Sequence, residues 1–85
     1  MKTLVYVIYD KVAEDSGPMF EAVNDGVALR QAVNILKPLP PLFRDEYKLV
    51  CLGEYNPSTM EIQRFLPPRE IDFTIALARL SEEEK

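Results

Sequence analysis

A continuous run of apolar residues near the start of the chain predicts a strand that is covered on both sides. The run TLVYVIY, residues 3–9, is rich in β-branched and aromatic side chains, which favour extended structure. Both sets of alternating positions are apolar, namely Leu4, Tyr6 and Ile8 in one and Val5, Val7 and Tyr9 in the other. We therefore expect this strand in the middle of a sheet.

A different apolar spacing predicts one helix from about residue 25 to residue 37. After Asn24, apolar residues recur at intervals of three and four, which is the spacing of one helix face. These residues are Ala28, Leu29, Ala32, Val33 and Leu36. Asn24 or Asp25 suits the capping position, and Pro38 ends the segment.

Two further segments predict a β-hairpin. Residues 47–55 and 60–65 are extended in character, and NPST between them is a turn. A four-residue loop pairs Tyr55 with Met60, Glu54 with Glu61, Gly53 with Ile62, Leu52 with Gln63 and Val50 with Phe65. In this register Val50, Leu52 and Phe65 share one face, and Leu49, Cys51 and Ile62 share the other. We expect the two opposed glutamates to splay into solvent.

The rest of the chain predicts connections and one short strand. PMFEAV, residues 18–23, suits an edge strand, because proline cannot donate to a ladder. The proline-rich segments 38–46 and 66–70 predict irregular connections. In residues 71–85 an alternation of apolar residues is followed by a helix-forming composition. We expect an extended segment to about 76 and then a short helical or frayed end, with a frayed acidic tail at 81–85.

The predicted fold class is α+β, a single domain over residues 1–85 with one helix packed on one face of a small, mostly antiparallel sheet. A chain of 85 residues buries a limited core, so self-association would add useful burial. One helix covers one face of a sheet, and the other face needs a second cover. We expect either the C-terminal segment or a second copy of the chain in a homodimer.

Composition narrows the classes of function. The net charge is −4 and the bases are scattered along the chain, which argues against a dedicated nucleic-acid binder. The single cysteine, Cys51, suits a reducing compartment and a buried structural role. Neither a signal peptide nor a membrane-spanning run is visible, so we expect a soluble cytoplasmic protein.

The candidate chemistry is not catalytic. The chain contains no histidine, which removes the usual general base near neutral pH and the common zinc sites. Its glycines are isolated, so no phosphate-binding loop is predicted. We therefore expect no catalytic residues, no metal, no cofactor and no enzymatic activity.

Two surface hypotheses follow from the remaining residues. Single-strand binders stack bases on aromatic rings and pair phosphates with cations, and the candidates for that role are Arg30, Lys48, Arg64, Tyr9 and Tyr55. The tyrosines alternatively pack at the sheet with their hydroxyls at its rim. The candidate protein interface is an apolar patch of Val50, Leu52 and Phe65.

A resemblance to a known family lies in two segments, VYVIYDKVAEDSGPMFEAVNDGVALRQAV and YKLVCLGEYNPSTMEI. They resemble the small non-structural proteins of gokushovirus-type microviruses, which are single-stranded DNA phages, over roughly residues 3–65. The matching positions are Tyr6, Tyr9, Asp10, Pro18, Phe20, Asn24, Asp25, Ala28, Arg30, Leu52, Gly53 and Tyr55.

The resemblance implies a phage protein of the host cytoplasm that is not part of the virion and acts in viral DNA replication or packaging. It brings no catalytic residues. One hypothesis is a non-enzymatic accessory protein that binds single-stranded DNA. The acidic charge favours the other, a homodimeric adaptor that contacts a phage or host replication or capsid-assembly protein without binding DNA.

Overall fold

The computed structural model describes residues 2–83. Within that range the strands are β1 Thr3–Asp10, β2 Asp15–Ala22, β3 Tyr47–Asn56 and β4 Glu61–Ile71. The helices are α1 Asp25–Leu36, a 3₁₀ helix Pro41–Glu46, and α2 Thr74–Glu83. The strands form one antiparallel sheet in the order β2-β1-β3-β4. The α+β class and the central position of the first strand are confirmed.

Helix α1 begins where the local sequence predicts. The side chain of Asn24 accepts a hydrogen bond from the Val27 N–H at 3.0 Å, which satisfies one of the free amides of the first turn. Ala28, Ala32 and Leu36 are buried on the side that faces the sheet. The predicted helix at about 25–37 is therefore confirmed.

The prediction of a single helix is wrong, because the proline-rich connection and the C-terminal segment both contain helix. The chain leaves β4 at Ile71, and Asp72 Oδ1 accepts from the Thr74 N–H at 2.9 Å to start α2. This cap, with the helix-forming composition that follows, prevails over the alternation that predicted an extended segment to about 76. Helix α2 continues through Glu83, and residues 84 and 85 of the predicted frayed tail lie outside the described range.

The hydrophobic core lies on one side of the sheet. Tyr6, Ile8, Leu49 and Cys51 point into it from β1 and β3, and α1 and Phe73 cover them. Ala76 and Leu77 of α2 pack at its margin, so α1 and α2 cover the same face. Cys51 is fully buried, as its strand position predicts.

One carboxylate ties the start of α1 to two strands. The Tyr6 hydroxyl donates to Asp25 Oδ1 at 2.6 Å, and Arg69 donates to both oxygens, from Nη1 to Oδ2 at 2.7 Å and from Nη2 to Oδ1 at 3.1 Å. Tyr6 is fully buried in β1, and Arg69 lies in β4. A bidentate arginine adds geometric specificity to charge, so this contact fixes α1 over the middle of the sheet.

The same contact shifts the pKa values of all three side chains, and the hydrogen bond to Asp25 raises the pKa of Arg69. The hydrogen bonds from Arg69 and Tyr6 lower the pKa of Asp25. Burial and the hydrogen bond to Asp25 raise the pKa of the Tyr6 hydroxyl. At neutral pH Tyr6 is therefore a donor and Asp25 a charged acceptor.

Arg44 closes the other end of α1. Its side chain is buried, with Nε donating to the Leu39 carbonyl at 3.1 Å and Nη2 to the Lys37 carbonyl at 2.9 Å. A cation beside the last carbonyls of a helix complements the helix dipole. The 3₁₀ helix brings Arg44 to that position, and no local pattern in the sequence predicts it.

A bulge in β3 changes which of its residues face α1. Tyr6 pairs with Cys51 and Val5 pairs with Gly53, so Leu52 is an extra residue on β3. On the other side β4 pairs Arg69 with Cys51 and Arg64 with Gly53. Residues 66–70 therefore lie inside β4, rather than breaking the chain as predicted.

The predicted hairpin register is wrong by two residues along β4. Tyr55 pairs with Ile62 and Glu54 with Gln63, so Glu54 does not oppose Glu61. Instead, Lys2 Nζ lies 3.7 Å from Glu54 Oε2. The turn sets the register of β3 and β4, but the composition of the turn residues does not predict that register.

Gly53→Ala is expected to destabilise the protein by about 1–3 kcal/mol, the usual cost of overpacking. An added Cβ would lie 2.3 Å from the Gln63 carbonyl oxygen and 2.8 Å from the Arg64 Cα, so β4 would have to shift. Urea unfolding measures the change. The matched control is Gly26→Ala in α1, whose Cβ would lie 3.4 Å from Asn24 Oδ1 and whose stability should stay equal or rise by up to about 1 kcal/mol. Equal stability of the two variants would contradict the close approach of β3 and β4.

Asp25→Asn is expected to lower the free energy of unfolding by about 1 kcal/mol at neutral pH, because both side chains of the ion pair are partly exposed. Since the pKa of Asp25 is lowered in the folded state, its contribution is present above about pH 4 and is lost as the pH falls through the folded value. Denaturant unfolding between acid and neutral pH should therefore show the two proteins converging at acid pH. Asp45→Asn on the exposed surface is the control, and a gap that persists unchanged into acid would refute the contribution of the charge.

Candidate interaction surface

The face of the sheet opposite α1 is built from rows of paired residues. Directly opposed residues in antiparallel strands share a face, so the ladder gives each row. From β2 to β4 the two full rows are Glu21, Val5, Gly53, Arg64 and Met19, Val7, Val50, Glu70. The partial rows at either end are Thr3, Tyr55, Ile62 and Ser16, Tyr9, Lys48. We call these residues, with Leu52, Pro67 and Pro68, the open face.

No helix within residues 2–83 packs on the open face, whose middle forms a shallow depression of about 510 Å³ lined by strand residues. At its centre Val5, Val7 and Val50 are 8%, 5% and 8% exposed, since neighbouring side chains of the same sheet shield them. These three valines are thus buried without a second layer. Towards the margin Met19 and Ile62 are 65% and 61% exposed.

The charges of the open face are balanced. Lys48 Nζ lies 2.6 Å from Glu70 Oε1 and 5.2 Å from the centre of the Tyr9 ring. Across the sheet the Thr3 hydroxyl donates to Glu21 Oε2 at 2.9 Å. With Arg64 the rows hold two cations and two anions, so the face presents no net positive field.

The structure brings together four of the five residues predicted for nucleic-acid binding. Tyr9 and Lys48 are direct partners at one end of the open face, and Tyr55 and Arg64 lie near the other. Six residues of β1 separate the two ends, which is about 20 Å. Arg30 is not part of this group, because it lies on α1 beside Leu29, Val33 and Ala76 on the helix side.

The predicted interface residues divide between the two sides of the sheet. Val50 and Leu52 lie on the open face. Phe65 follows Arg64 of the open face by one residue, so it points to the other side, where it packs against the core and the Arg69 guanidinium lies 5.9 Å from its ring centre. Ile62 takes the reverse position, opposite Tyr55 on the open face. The bulge at Leu52 and the shifted register explain both differences.

The contribution of β2 to the open face was not predicted from the sequence. Glu21 and Met19 of β2 face the same side as Val5 and Val7. Their alternation with Phe20 is the signal that would have found them, given the pairing of β2 with β1.

A second groove, of about 630 Å³, lies between the 3₁₀ helix and α2, with Tyr47, Phe73 and Leu77 among its lining residues. Its buried cation, Arg44, is engaged with the carbonyls at the end of α1. No helix within residues 2–83 is both long and apolar enough to cross a membrane.

Comparison with known proteins identifies one family. A family model described as Phage ORF5 protein matches residues 3–76. The match spans both segments that resemble phage non-structural proteins, so the expectation of a phage protein family is confirmed at that level. The searches of curated proteins and of solved structures gave no match.

Proposed function

This chain belongs to the Phage ORF5 protein family, and from that premise we propose that it is a non-structural, non-enzymatic phage accessory protein that binds single-stranded DNA on its open face. The binding serves viral DNA replication or packaging. The resemblance over residues 3–65 supports a gokushovirus-type microvirus as its source, with action in the host cytoplasm and outside the virion.

The observation that carries this proposal is the position of Tyr9, Lys48, Tyr55 and Arg64 on one uncovered face of a sheet. Bases stack on aromatic rings regardless of sequence, and cations alongside pair with the phosphates. The two tyrosines lie about 20 Å apart along the strands, so they offer two stacking positions on the same face. The apolar residues between the two tyrosines do not select one base over another.

The charge of the face sets how strong this binding is. Lys48 is already paired with Glu70 at 2.6 Å, so a phosphate has to replace that carboxylate. With two cations available, the slope of log affinity against log salt for a single strand should be about −1.4, far shallower than for a dedicated binder. Stacking therefore supplies most of the affinity.

Tyr55→Ala and Arg64→Gln are expected to weaken binding of a dT oligonucleotide of about 16 nucleotides, followed by fluorescence anisotropy in about 50 and about 200 mM salt. Loss of a stacking ring should reduce affinity at least about five-fold. Loss of the Arg64 charge should flatten the salt slope by about 0.7.

Arg30→Gln is the matched control, because it removes the same charge from the helix side and should leave affinity within about two-fold of wild type. Equal losses in the Arg30 and Arg64 variants would place binding elsewhere than on the open face. Absence of binding to the wild-type protein even in low salt would exclude the proposal.

The balanced charge of the open face favours a second candidate function, a homodimeric protein-interaction adaptor. Such an adaptor would contact the replication or capsid-assembly machinery without touching DNA. Its support is the exposed apolar side chains on the same face as the buried valines, since Met19 and Ile62 are more than half exposed. This candidate remains if the wild-type protein does not bind the oligonucleotide in low salt.

A further inference from the structure

We infer that the open face binds a second copy of this chain, with a two-fold axis running parallel to the strands midway between β1 and β3. The inference concerns the shape and charge of the face and does not depend on DNA binding. Two features favour a second copy as the partner, namely the edges of the sheet and the order of charges across it, and the area of the face indicates how tightly that copy binds.

The edges of the sheet oppose strand-to-strand association. The outer strands are β2 and β4, and β2 contains Pro18 while β4 contains Pro67 and Pro68. A proline in an outer strand has no N–H to donate and so interrupts any ladder with another chain. Self-association by this sheet is therefore directed to its face.

In one of the two full rows the order of charges is self-complementary. One full row runs Glu21, Val5, Gly53, Arg64, with the acid on β2 and the base on β4. The proposed axis superimposes β2 of one copy on β4 of the other, as an isologous interface requires. Glu21 of each copy then lies over Arg64 of its partner, and the valines of the two copies meet at the axis.

The end row that contains Tyr9 and Lys48 is also self-complementary about the proposed axis. Tyr9 of β1 and Lys48 of β3 are direct partners, with the Lys48 ammonium 5.2 Å from the Tyr9 ring centre. The axis lies between these two strands, so Lys48 of each copy lies over Tyr9 of the other. The cation–π contact present within the chain is thereby repeated across the interface.

The area of the face predicts a weak dimer. Four strands about 4.8 Å apart and about seven residues long at 3.3 Å each give a patch of roughly 19 by 23 Å. At roughly 440 Å² per copy this is smaller than a standard stable interface and falls among weak, transient ones, and the central valines are already shielded. We therefore expect a dissociation constant in the micromolar range, and sheets about 10 Å apart, a spacing that long side chains such as glutamate and arginine bridge.

Charge reversal tests the pairing directly, by sedimentation of the full chain over low to high micromolar concentration without nucleic acid. Glu21→Arg and Arg64→Glu should each weaken dimerisation at least about ten-fold, because each places like charges face to face. The double variant should return to within about three-fold of wild type. Within one chain these side chains lie three strands apart, about 14 Å, so rescue reports a contact between chains.

Ile62→Glu and Ile75→Glu form the matched pair for the location of the contact. Both isoleucines are well exposed, at 61% and 69%, but Ile62 lies on the open face and Ile75 on α2. Ile62→Glu should weaken the dimer, because it places a charge at the margin of the contact, and Ile75→Glu should leave it intact. A monomeric wild type at high concentration, failure of the double variant to recover, or dissociation by Ile75→Glu alone would overturn the inference.

The result is distinguishable from that of the DNA proposal. Glu21→Arg adds a positive charge to the face, so it should weaken the dimer while retaining or raising oligonucleotide affinity. Loss of oligonucleotide binding in Glu21→Arg would mean that DNA requires the dimer, and this would contradict the present arrangement, in which the second copy covers Tyr9 and Arg64.

Discussion

The packing of α1 against one face of the sheet is the constraint on which the architecture depends, and the carboxylate of Asp25 orients the helix there. This carboxylate receives the buried Tyr6 hydroxyl from β1 and the Arg69 guanidinium from β4, so one side chain holds the start of α1 over the centre of the sheet. Arg44 binds the carbonyls at the other end of the helix. Because both ends of α1 are fixed on this side and α2 packs beside it, the other face of the sheet has no helix on it within residues 2–83.

That asymmetry is why the open face is the surface proposed for function. The open face combines shielded valines with exposed Met19 and Ile62 at the margins, and it carries equal numbers of acids and bases. Such a surface differs from an ordinary hydrated face of a sheet, and it also differs from the strongly basic groove that binds a phosphate backbone. DNA and a second copy would use the same residues, Tyr9 and Arg64 among them, so the two ligands exclude each other. Self-association would then regulate access of DNA to the sheet through protein concentration.

Local patterns in the sequence predict the elements whose evidence is local. The Asn24 cap and the apolar spacing after it predict α1, and the doubly apolar run 3–9 predicts a central strand. The hairpin register, the side on which Phe65 lies and the position of Arg69 were not predictable in this way. They depend on the extra residue Leu52 and on a contact between residues 44 positions apart. For the site, four of the five predicted nucleic-acid residues share a face, while Arg30 lies on the helix side because the helix, not the sheet, carries it.

Chemical-shift mapping of the ¹⁵N-labelled full chain tests most directly whether the open face is the surface through which this protein acts. Backbone amide spectra would be compared on dilution and on addition of a single-stranded oligonucleotide. The changes in both series should concentrate on the sheet around Tyr9, Lys48, Val50 and Arg64, and on dilution also around Glu21 of β2, with α1 and α2 unaffected. Changes centred on α1 and α2, with the open face silent in both series, would contradict this prediction.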